Sequence, residues 1–152
     1  MNFSVKGYKI PENRLKHCYG VGWVMYKVAK DYYKWNENKC REMFILGLLH
    51  DAGYEFVGHN DSSILHSKIL SKLLNHNNYC YDKEIKYHDM FTKKYKSKEL
   101  ELLWLADMVV DGQGNIVGFE GRIKDIKKRH GKNSKVAKDS EKLIRYLEKI
   151  FH

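Results

Sequence analysis

The chain has 152 residues, of which 43% are hydrophobic and 31% charged, so it is long enough for one globular domain with a buried core. It has neither the run of about 20 apolar residues that a membrane helix needs nor a secretion signal at residues 1–7, and its three widely spaced cysteines suit free thiols in the cytoplasm. The net charge of +9 comes from 23 lysines and only 5 arginines, which favours solvated helix faces and a small anionic substrate over a nucleic-acid partner.

The hydrophobic residues follow helical spacing along almost the whole chain, and Pro11 suits the first position of the first helix. The predicted helices span residues 11–33, 39–50, about 61–74, 81–87, a stretch that Ser97 caps and that carries Asp107, 119–129 and 134–151. Residues 51–61 are predicted to form a loop and residues 111–115 a turn. In no segment do apolar and polar residues alternate with a period of two, so we predict no sheet. We expect one compact all-α domain over residues 1–152, and its residues 11–111 carry the motifs described below.

Two regions of these helices carry further expectations. Asp61 or Ser62 is predicted to cap the third helix, and the helical spacing assigns to its core face the residues Ile64, Leu65, Ile69, Leu70, Leu73 and Leu74. The basic stretch 122–138 is interpreted as a solvated helix face within the C-terminal helices.

Polar side chains interrupt the apolar helices at a few positions. His50 and Asp51 end the apolar run 43–49, and a buried imidazole beside a carboxylate is costly unless a partner compensates it. A divalent metal is the partner that we expect. Asp107 shares a helix face with apolar residues, and His17 shares the inward stripe of the first helix with three valines.

The remaining histidines need context. His66 and His88 each interrupt or follow an apolar pattern, and either one alone would be interpreted as a hydrogen-bonded core residue. Asp89 is interpreted as an exposed loop carboxylate, with support of His88 as the alternative. We interpret as loop or surface residues the histidines at positions 59, 76, 130 and 152.

In this order, His17, the His50-Asp51 pair and Asp107 resemble the signature of the HD superfamily of metal-dependent phosphohydrolases. The context also matches, because Arg14 lies three residues before the first histidine, Gly-Leu-Leu precedes the pair and a glycine follows it by two residues. The resemblance covers about residues 11–111 and implies that these four side chains bind one metal ion. It also implies an all-α fold.

His66 and His88 make the chain similar to the HD proteins that hold two metal ions, and particularly to the small bacterial enzymes that cleave diadenosine tetraphosphate symmetrically. The resemblance implies that Asp51 bridges the first ion to a second one, which His66 and His88 also bind. Imidazole and carboxylate ligands without thiolate suit Fe, Mn, Co, Ni or Zn. Two such ions roughly 3.5–4 Å apart can supply hydroxide at neutral pH and polarise a phosphoryl oxygen.

Other residues are expected to serve the same reaction. Arg14 and Lys68 are candidates to offset the negative charge of the transition state. Asp111 follows Asp107 by one helical turn and is expected to face the same cavity. Tyr54 occupies a position where many HD enzymes have a phosphate-binding lysine, so it can donate a hydrogen bond or stack on a base but brings no charge.

The sequence therefore predicts a phosphohydrolase that attacks a nucleotide-type phosphoester or phosphoanhydride with metal-activated hydroxide. A dinucleoside polyphosphate is the favoured substrate, followed by a nucleotide monoester and a cyclic nucleotide. Two alternatives stay open, namely a di-iron oxygenase of the HD type and a catalytically silent module that binds a nucleotide or nucleic acid. The oligomeric state stays open as well.

Overall fold

The computed structural model describes residues 4–57 and 63–151, with the side chains of Ser63 and Ile64 left aside. The described residues contain seven α-helices and two very short strands, which confirms the predicted all-α class. The elements are β1 Ser4–Val5, β2 Tyr8–Lys9, a 3-10 helix Glu12–Arg14, α1 Leu15–Asp31, α2 Glu37–Leu49, a 3-10 helix Ala52–Phe56, α3 Ser63–His76, α4 Asp82–Tyr87, α5 Lys98–Asp107, α6 Gly118–His130 and α7 Lys135–Ile150.

The prediction of no sheet is wrong at the N-terminus, where β1 and β2 form an antiparallel hairpin. Lys6 and Gly7 both adopt positive φ angles, of 51° and 84°, as a tight turn between two strands requires. Each strand has two residues, which is too short to show alternation in the sequence. An isolated bridge between Val110 and Ile116 also closes the turn after α5.

The predicted helix bounds hold to within a few residues, and one detail differs. The segment predicted as a loop after Asp51 contains the 3-10 helix Ala52–Phe56. The expected caps Asp61 and Ser62 lie outside the described residues. The predicted cap Ser97 is confirmed, and Ser134 caps α7 in the same way, because each side-chain oxygen accepts a hydrogen bond from the backbone N–H three residues later.

The core face of α3 is rotated relative to the predicted one. Leu70 and Leu74 are buried with His66 along one i, i+4 stripe, whereas Leu65 and Leu73 are 43% and 36% exposed. The prediction for Leu65 and Leu73 is therefore wrong, because α3 packs against α4 and the 3-10 helix Ala52–Phe56 through a face that also includes the buried Ser67 and Ser71. The side chain of Ile64 lies outside the described part.

Helices α1 and α2 form the most extensive helix pair and cross where two glycines meet. A Cβ atom built on Gly47 would lie 2.6 Å from the Cα atom of Gly22, so the two backbones touch with no side chain between them. This close approach brings the first turn of α1 next to the last turn of α2. Those two turns carry His17 and His50.

Helix α5 is buried on both sides, because it lies between two hydrophobic clusters. Leu102, Leu103 and Ala106 pack into the larger cluster with α1, α2 and α3. Leu100, Trp104 and Met108 pack into the smaller cluster with α6 and α7. This double burial explains why the helix is apolar nearly all round, and it places Asp107 at the end of a buried element.

Two further findings bear on the sequence predictions. The three cysteines are free thiols, with Cys18 and Cys40 buried and Cys80 exposed, as predicted. Across residues 4–57 and 63–151, the structure offers no helix with the length and apolar character to cross a lipid bilayer.

We expect Gly47→Ala to destabilise the protein. The added methyl group meets rigid backbone atoms of Gly22, and the about 1–3 kcal/mol cost of overpacking exceeds the about 1 kcal/mol that alanine gains in helix propensity. A fall in the midpoint of thermal unfolding, followed by circular dichroism, checks this. Gly112→Ala is the matched control, because its methyl group meets only the mobile end of Arg129. Equal midpoints for the two variants would contradict the prediction.

Candidate metal centre

Six polar side chains with metal-binding atoms converge in the interior, and they come from three helices and from the ends of two others. His17 lies in the first turn of α1, His66 lies on the buried face of α3, and Asp107 is the last residue of α5. His50, Asp51 and His88 follow the ends of α2 and α4. All six are buried or nearly so, and they are His17, His50, Asp51, His66, His88 and Asp107. These are the six residues for which the sequence predicted a metal-binding role.

The first group of ligand atoms belongs to His17, His50 and Asp107, with one oxygen of Asp51 beside them. The Nε2 atom of His17 lies 2.8 Å from Oδ1 of Asp107, and the Nε2 atom of His50 lies 3.6 Å from the same oxygen. The Oδ2 atom of Asp51 lies 3.4 Å from Nε2 of His50 and 4.0 Å from Nε2 of His17. Two imidazole nitrogens and two carboxylate oxygens thus face one small volume.

The second group belongs to His66 and His88, which face the other oxygen of Asp51. Their Nε2 atoms lie 3.3 Å and 3.5 Å from Oδ1 of Asp51. The close approach depends on Gly53 in the 3-10 helix, because a Cβ atom built there would lie 2.1 Å from the backbone oxygen of His66. The two oxygens of Asp51 therefore point into two different groups of ligand atoms.

Backbone carbonyl groups set the orientation of three imidazole rings. The Nδ1 atom of His17 lies 3.0 Å from the backbone oxygen of Asp111. The Nδ1 atoms of His50 and His88 each lie 2.6 Å from the carbonyl oxygen three residues earlier. Since a carbonyl oxygen only accepts, each Nδ1 donates its hydrogen, and Nε2 is directed at the centre, where it offers a lone pair once the ring has lost its second proton.

Several of these atoms lack a hydrogen-bond partner in the part of the chain that the structure describes. They are buried nitrogens, namely Nε2 of His50, His66 and His88 and Nδ1 of His66. An orphaned buried polar atom is rare and costly, and here the orphans cluster around two carboxylates. The residues therefore fit a divalent cation, and these buried His and Asp groups could hold a metal ion.

The thiol of Cys18 lies within reach of the same centre. Its Sγ atom forms a third potential ligand group with His50 and Asp51. Burial raises the pKa of this thiol well above its usual value, with a further contribution from the negative charge of Asp51. Metals bind the thiolate, so Cys18 is a poor ligand compared with the imidazoles around it.

The electrostatics of the centre couple its carboxylates to its imidazoles. Burial alone would raise the pKa of Asp51, but His50, His66, His88 and Arg14 lower it well below its usual value. Burial would lower the pKa of His88, but Asp89 and Asp51 raise it to about 10. Protons on imidazoles thus balance the buried carboxylates, and an ion that binds here must displace protons.

Arg14 and Tyr54, two residues predicted to serve the reaction, lie at the edge of the centre. The Nη1 atom of Arg14 lies 3.3 Å from Oδ2 of Asp51, and its guanidinium carbon lies 3.5 Å from the centre of the Tyr54 ring. The Tyr54 ring also stacks on the ring of His66, with ring centres 3.7 Å apart and planes inclined by 19°. Burial opposes the charge of Arg14, but the carboxylate of Asp51 raises its pKa.

The side chains of Lys68 and Asp111 belong to neither group of ligand atoms around Asp51. Lys68 is exposed on α3, where it lines a cavity together with Asp89. The side chain of Asp111 accepts hydrogen bonds from the backbone N–H groups of Gln113 and Asn115, so it closes the turn. Asp111 contacts the centre through its backbone oxygen, which orients His17.

Asp89 is a further member of the centre, so its favoured interpretation as an exposed loop carboxylate is wrong and the alternative, support of His88, is confirmed. Instead of being exposed in a loop, its side chain is 11% exposed, and its oxygens lie 3.6 Å from Nδ1 of His66 and 3.5 Å from Nε2 of His88. The hydroxyl group of Ser67 donates a hydrogen bond to the same carboxylate. The available signal was the His88-Asp89 pair, which repeats the order of His50-Asp51 at the end of another helix.

Arg122 is a residue that the sequence interpretation missed, and it corrects the interpretation of 122–138 as a solvated face. Arg122 is 9% exposed, and its Nε atom donates a hydrogen bond of 3.0 Å to the backbone oxygen of Asp107. Its Nη2 atom lies 3.6 Å from Oδ1 of Asp107, while Nη1 donates to Asp125. Its position one helical turn before the buried Ile126 was the only sequence signal.

No protein-family model, curated protein or solved structure matched the chain in comparisons with known proteins. The HD resemblance therefore stays a prediction based on residues in the sequence. The positions of the buried imidazole and carboxylate groups support a metal centre independently of that resemblance.

We expect the affinity of the centre for Mn²⁺ or Ni²⁺ to rise with pH. The raised pKa of His88, about 10, keeps this imidazole protonated near neutral pH, so binding must release its proton, and the apparent affinity should rise up to about tenfold per pH unit for each proton released. Titration calorimetry at about pH 6.5 and about pH 8, in buffers that differ in ionisation enthalpy, measures both quantities. His76→Ala, which removes an exposed histidine, should preserve the dependence, and an affinity unchanged between the two pH values would contradict it.

Proposed function

We propose that the chain is a metal-dependent phosphohydrolase that holds two divalent ions and acts on a nucleotide-type phosphate. The observation that supports this best is the position of Asp51, whose Oδ2 atom faces His17 and His50 while its Oδ1 atom faces His66 and His88. A single carboxylate between two groups of imidazoles is the arrangement that a dinuclear centre needs. Iron, manganese, cobalt, nickel and zinc all suit these ligands.

Ions bound in these two groups would lower the pKa of water and polarise a phosphoryl oxygen. The chain contributes the remaining parts of the chemistry. Asp51 and Asp107 offset the charge of the ions, and the backbone oxygens that bind Nδ1 hold His17, His50 and His88 in position. Rigid imidazoles keep the ligand geometry constant while charge develops on the substrate.

Arg14 is the positive group best placed to contact the substrate. Its side chain is 27% exposed, so a phosphate can approach it, and its Nη1 atom lies 3.3 Å from Asp51. Stacking on Tyr54 fixes the plane of the guanidinium group, which can then donate hydrogen bonds to two phosphoryl oxygens at once. This arrangement supplies next to the centre the cation that Tyr54 itself does not provide.

The positive charge of the chain and a cavity beside Asp89 favour an anionic substrate. The cavity has a volume of about 240 Å³, and its lining includes Lys68, Lys86 and Lys94. These lysines can bind phosphate groups of the substrate other than the one that is hydrolysed. A dinucleoside polyphosphate, which has several phosphates, fits this arrangement best. Nucleotide monoesters and cyclic nucleotides follow as candidates.

Asp51→Asn is expected to abolish turnover, because a neutral amide offers one oxygen and no charge to balance two ions. Wild type and variant are reconstituted separately with Mn, Co, Ni and Fe and assayed on a panel that includes diadenosine tetraphosphate, cyclic nucleotides and nucleotide monophosphates. Metal content is measured by mass spectrometry, and the far-UV signal confirms that the helices persist. Asp31→Asn, a change at an exposed carboxylate of α1, is the matched control.

Two outcomes of this experiment would overturn the proposal. Full activity of Asp51→Asn would remove the bridging carboxylate from the reaction. Oxygen consumption by the iron-loaded wild type, without phosphate release under any metal, would identify the centre as a di-iron oxygenase.

Arg14→Gln is expected to lower kcat by about a hundredfold, the effect of removing one preorganised donor to the transition state. Its metal content should stay at the wild-type level, because Arg14 is not a ligand. Arg14→Lys should recover part of the loss, since lysine restores the charge but not the planar stacking on Tyr54. Arg129→Gln removes an exposed arginine as a control, and a kcat for Arg14→Gln within about twofold of the control would contradict the role.

A further inference from the structure

Three adjoining cavities extend from the metal centre along the segment 88–97 to helix α7. The first, of about 240 Å³, begins at Asp89 and shares Tyr87 and Lys94 with the second, of about 640 Å³. The third, of about 560 Å³, shares Thr92 with the first and Tyr95 with the second. We refer to the three cavities together as the lysine groove.

The charge of the first two cavities is strongly positive. Their lysines, contributed by α3, α4 and the segment after α4, are Lys68, Lys72, Lys83, Lys86 and Lys94. The acidic residues that line the same two cavities are Asp82 and Asp89. None of these five lysines forms an ion pair with a carboxylate of residues 4–57 or 63–151, whereas Lys39 and Lys127 elsewhere in the chain do. The groove thus holds positive charge that the described residues leave uncompensated.

The third cavity combines basic side chains with aromatic ones and has no acidic residue among those described as lining it. Its basic residues are Lys93, Lys96, Lys142, Arg145 and Lys149. The last three lie on one face of α7, at spacings of three and four residues. Aromatic rings also line this cavity, namely the half-buried Phe91, Tyr95 and Tyr146 and the almost fully buried Trp104, so the first three are the rings that a base can reach.

We propose that the lysine groove binds single-stranded nucleic acid. Ten basic side chains along one concave path exceed what a mononucleotide can neutralise, so the ligand carries a chain of phosphates. Half-buried tyrosines, Tyr87 and Tyr95, lie between the cations, and flexible cations with interposed aromatic rings are the means by which proteins bind a strand without reading its sequence. An acidic peptide would leave the rings without flat partners, and a lipid surface does not fit a concave path.

The fold changes how the lysine content is interpreted. In the sequence, 23 lysines spread along the chain suggest only solvated helix faces. The structure gathers ten basic residues from three helices and one connecting segment on a single path that ends at Asp89. This inference concerns binding and does not depend on hydrolysis at the metal centre.

The test measures binding of a labelled single strand of about 12 nucleotides to the full-length protein by fluorescence anisotropy over a range of salt concentrations. EDTA is present, so a failure of the hydrolysis proposal leaves this result unaffected. The triple variant Lys72→Gln, Lys86→Gln and Lys142→Gln removes one or more cations from each end of the groove. The matched control, Lys27→Gln, Lys30→Gln and Lys124→Gln, removes the same charge from exposed positions of α1 and α6 outside the groove.

The groove variant is expected to weaken binding at least about tenfold and to reduce the slope of log affinity against log salt by about 2, or about 0.7 for each lost phosphate contact. The control variant should change the affinity by less than about threefold. Equal losses in the two variants would show a diffuse electrostatic field and overturn the proposal.

Comparison with other ligands tests whether the bound species is a single nucleic-acid strand. A strand of the same length without bases is expected to bind at least about tenfold more weakly than the normal strand, because it cannot stack on the rings. Equal binding of the abasic strand, or equal displacement by inorganic polyphosphate of the same charge, would identify a general polyanion site and overturn the proposal. Tighter binding of a duplex of the same sequence would overturn it as well.

Discussion

The buried carboxylate of Asp51 is stable only with positive groups near both of its oxygens, and the packing of the helices supplies them. Asp51 is 6% exposed, and each of its oxygens lies between 3.3 Å and 4.0 Å from the Nε2 atoms of two imidazoles. A charge buried so deeply is tolerated only when positive groups surround it, whether these are protonated histidines or metal ions. The close packing of α1 on α2 at Gly22 and Gly47 and the contact of Gly53 with the backbone of His66 bring those groups within reach.

The two ligand groups around Asp51 depend on different parts of the fold. Helices α1, α2 and α5 position the first group, and the turn after α5 orients His17 through a backbone oxygen. Helices α3 and α4 position the second group, and Asp89 supports both of its histidines. Arg122 extends the site into the C-terminal part of the chain, because its hydrogen bond to the Asp107 carbonyl holds the end of α5 against α6. The C-terminal helices are therefore part of the support of the centre.

The sequence predicts the helical class and the helix bounds to within a few residues, because helical spacing is a local signal. The HD resemblance is what links the six side chains that converge in the structure, since His66 or His88 alone would be interpreted as a core residue. It does not predict contacts that depend on where helices meet. Asp89 follows a short helix and resembles an exposed residue until α3 packs on α4, and Arg122 lies in a basic stretch whose inward face is set by α5. The hairpin at residues 4–9 was missed because two-residue strands carry no periodicity. The clustering of lysines is likewise a property of the assembled helices alone.

One contact links the centre to an optical property of the chain. Trp104 is 2% exposed, and its indole N–H donates a hydrogen bond of 3.1 Å to the backbone oxygen of His88. Its emission therefore originates in a dry environment next to the second ligand group, whereas Trp23 is 45% exposed and accessible to soluble quenchers such as iodide. The protein thus carries a buried intrinsic fluorophore beside His88, in addition to the half-buried Trp35 and the exposed Trp23.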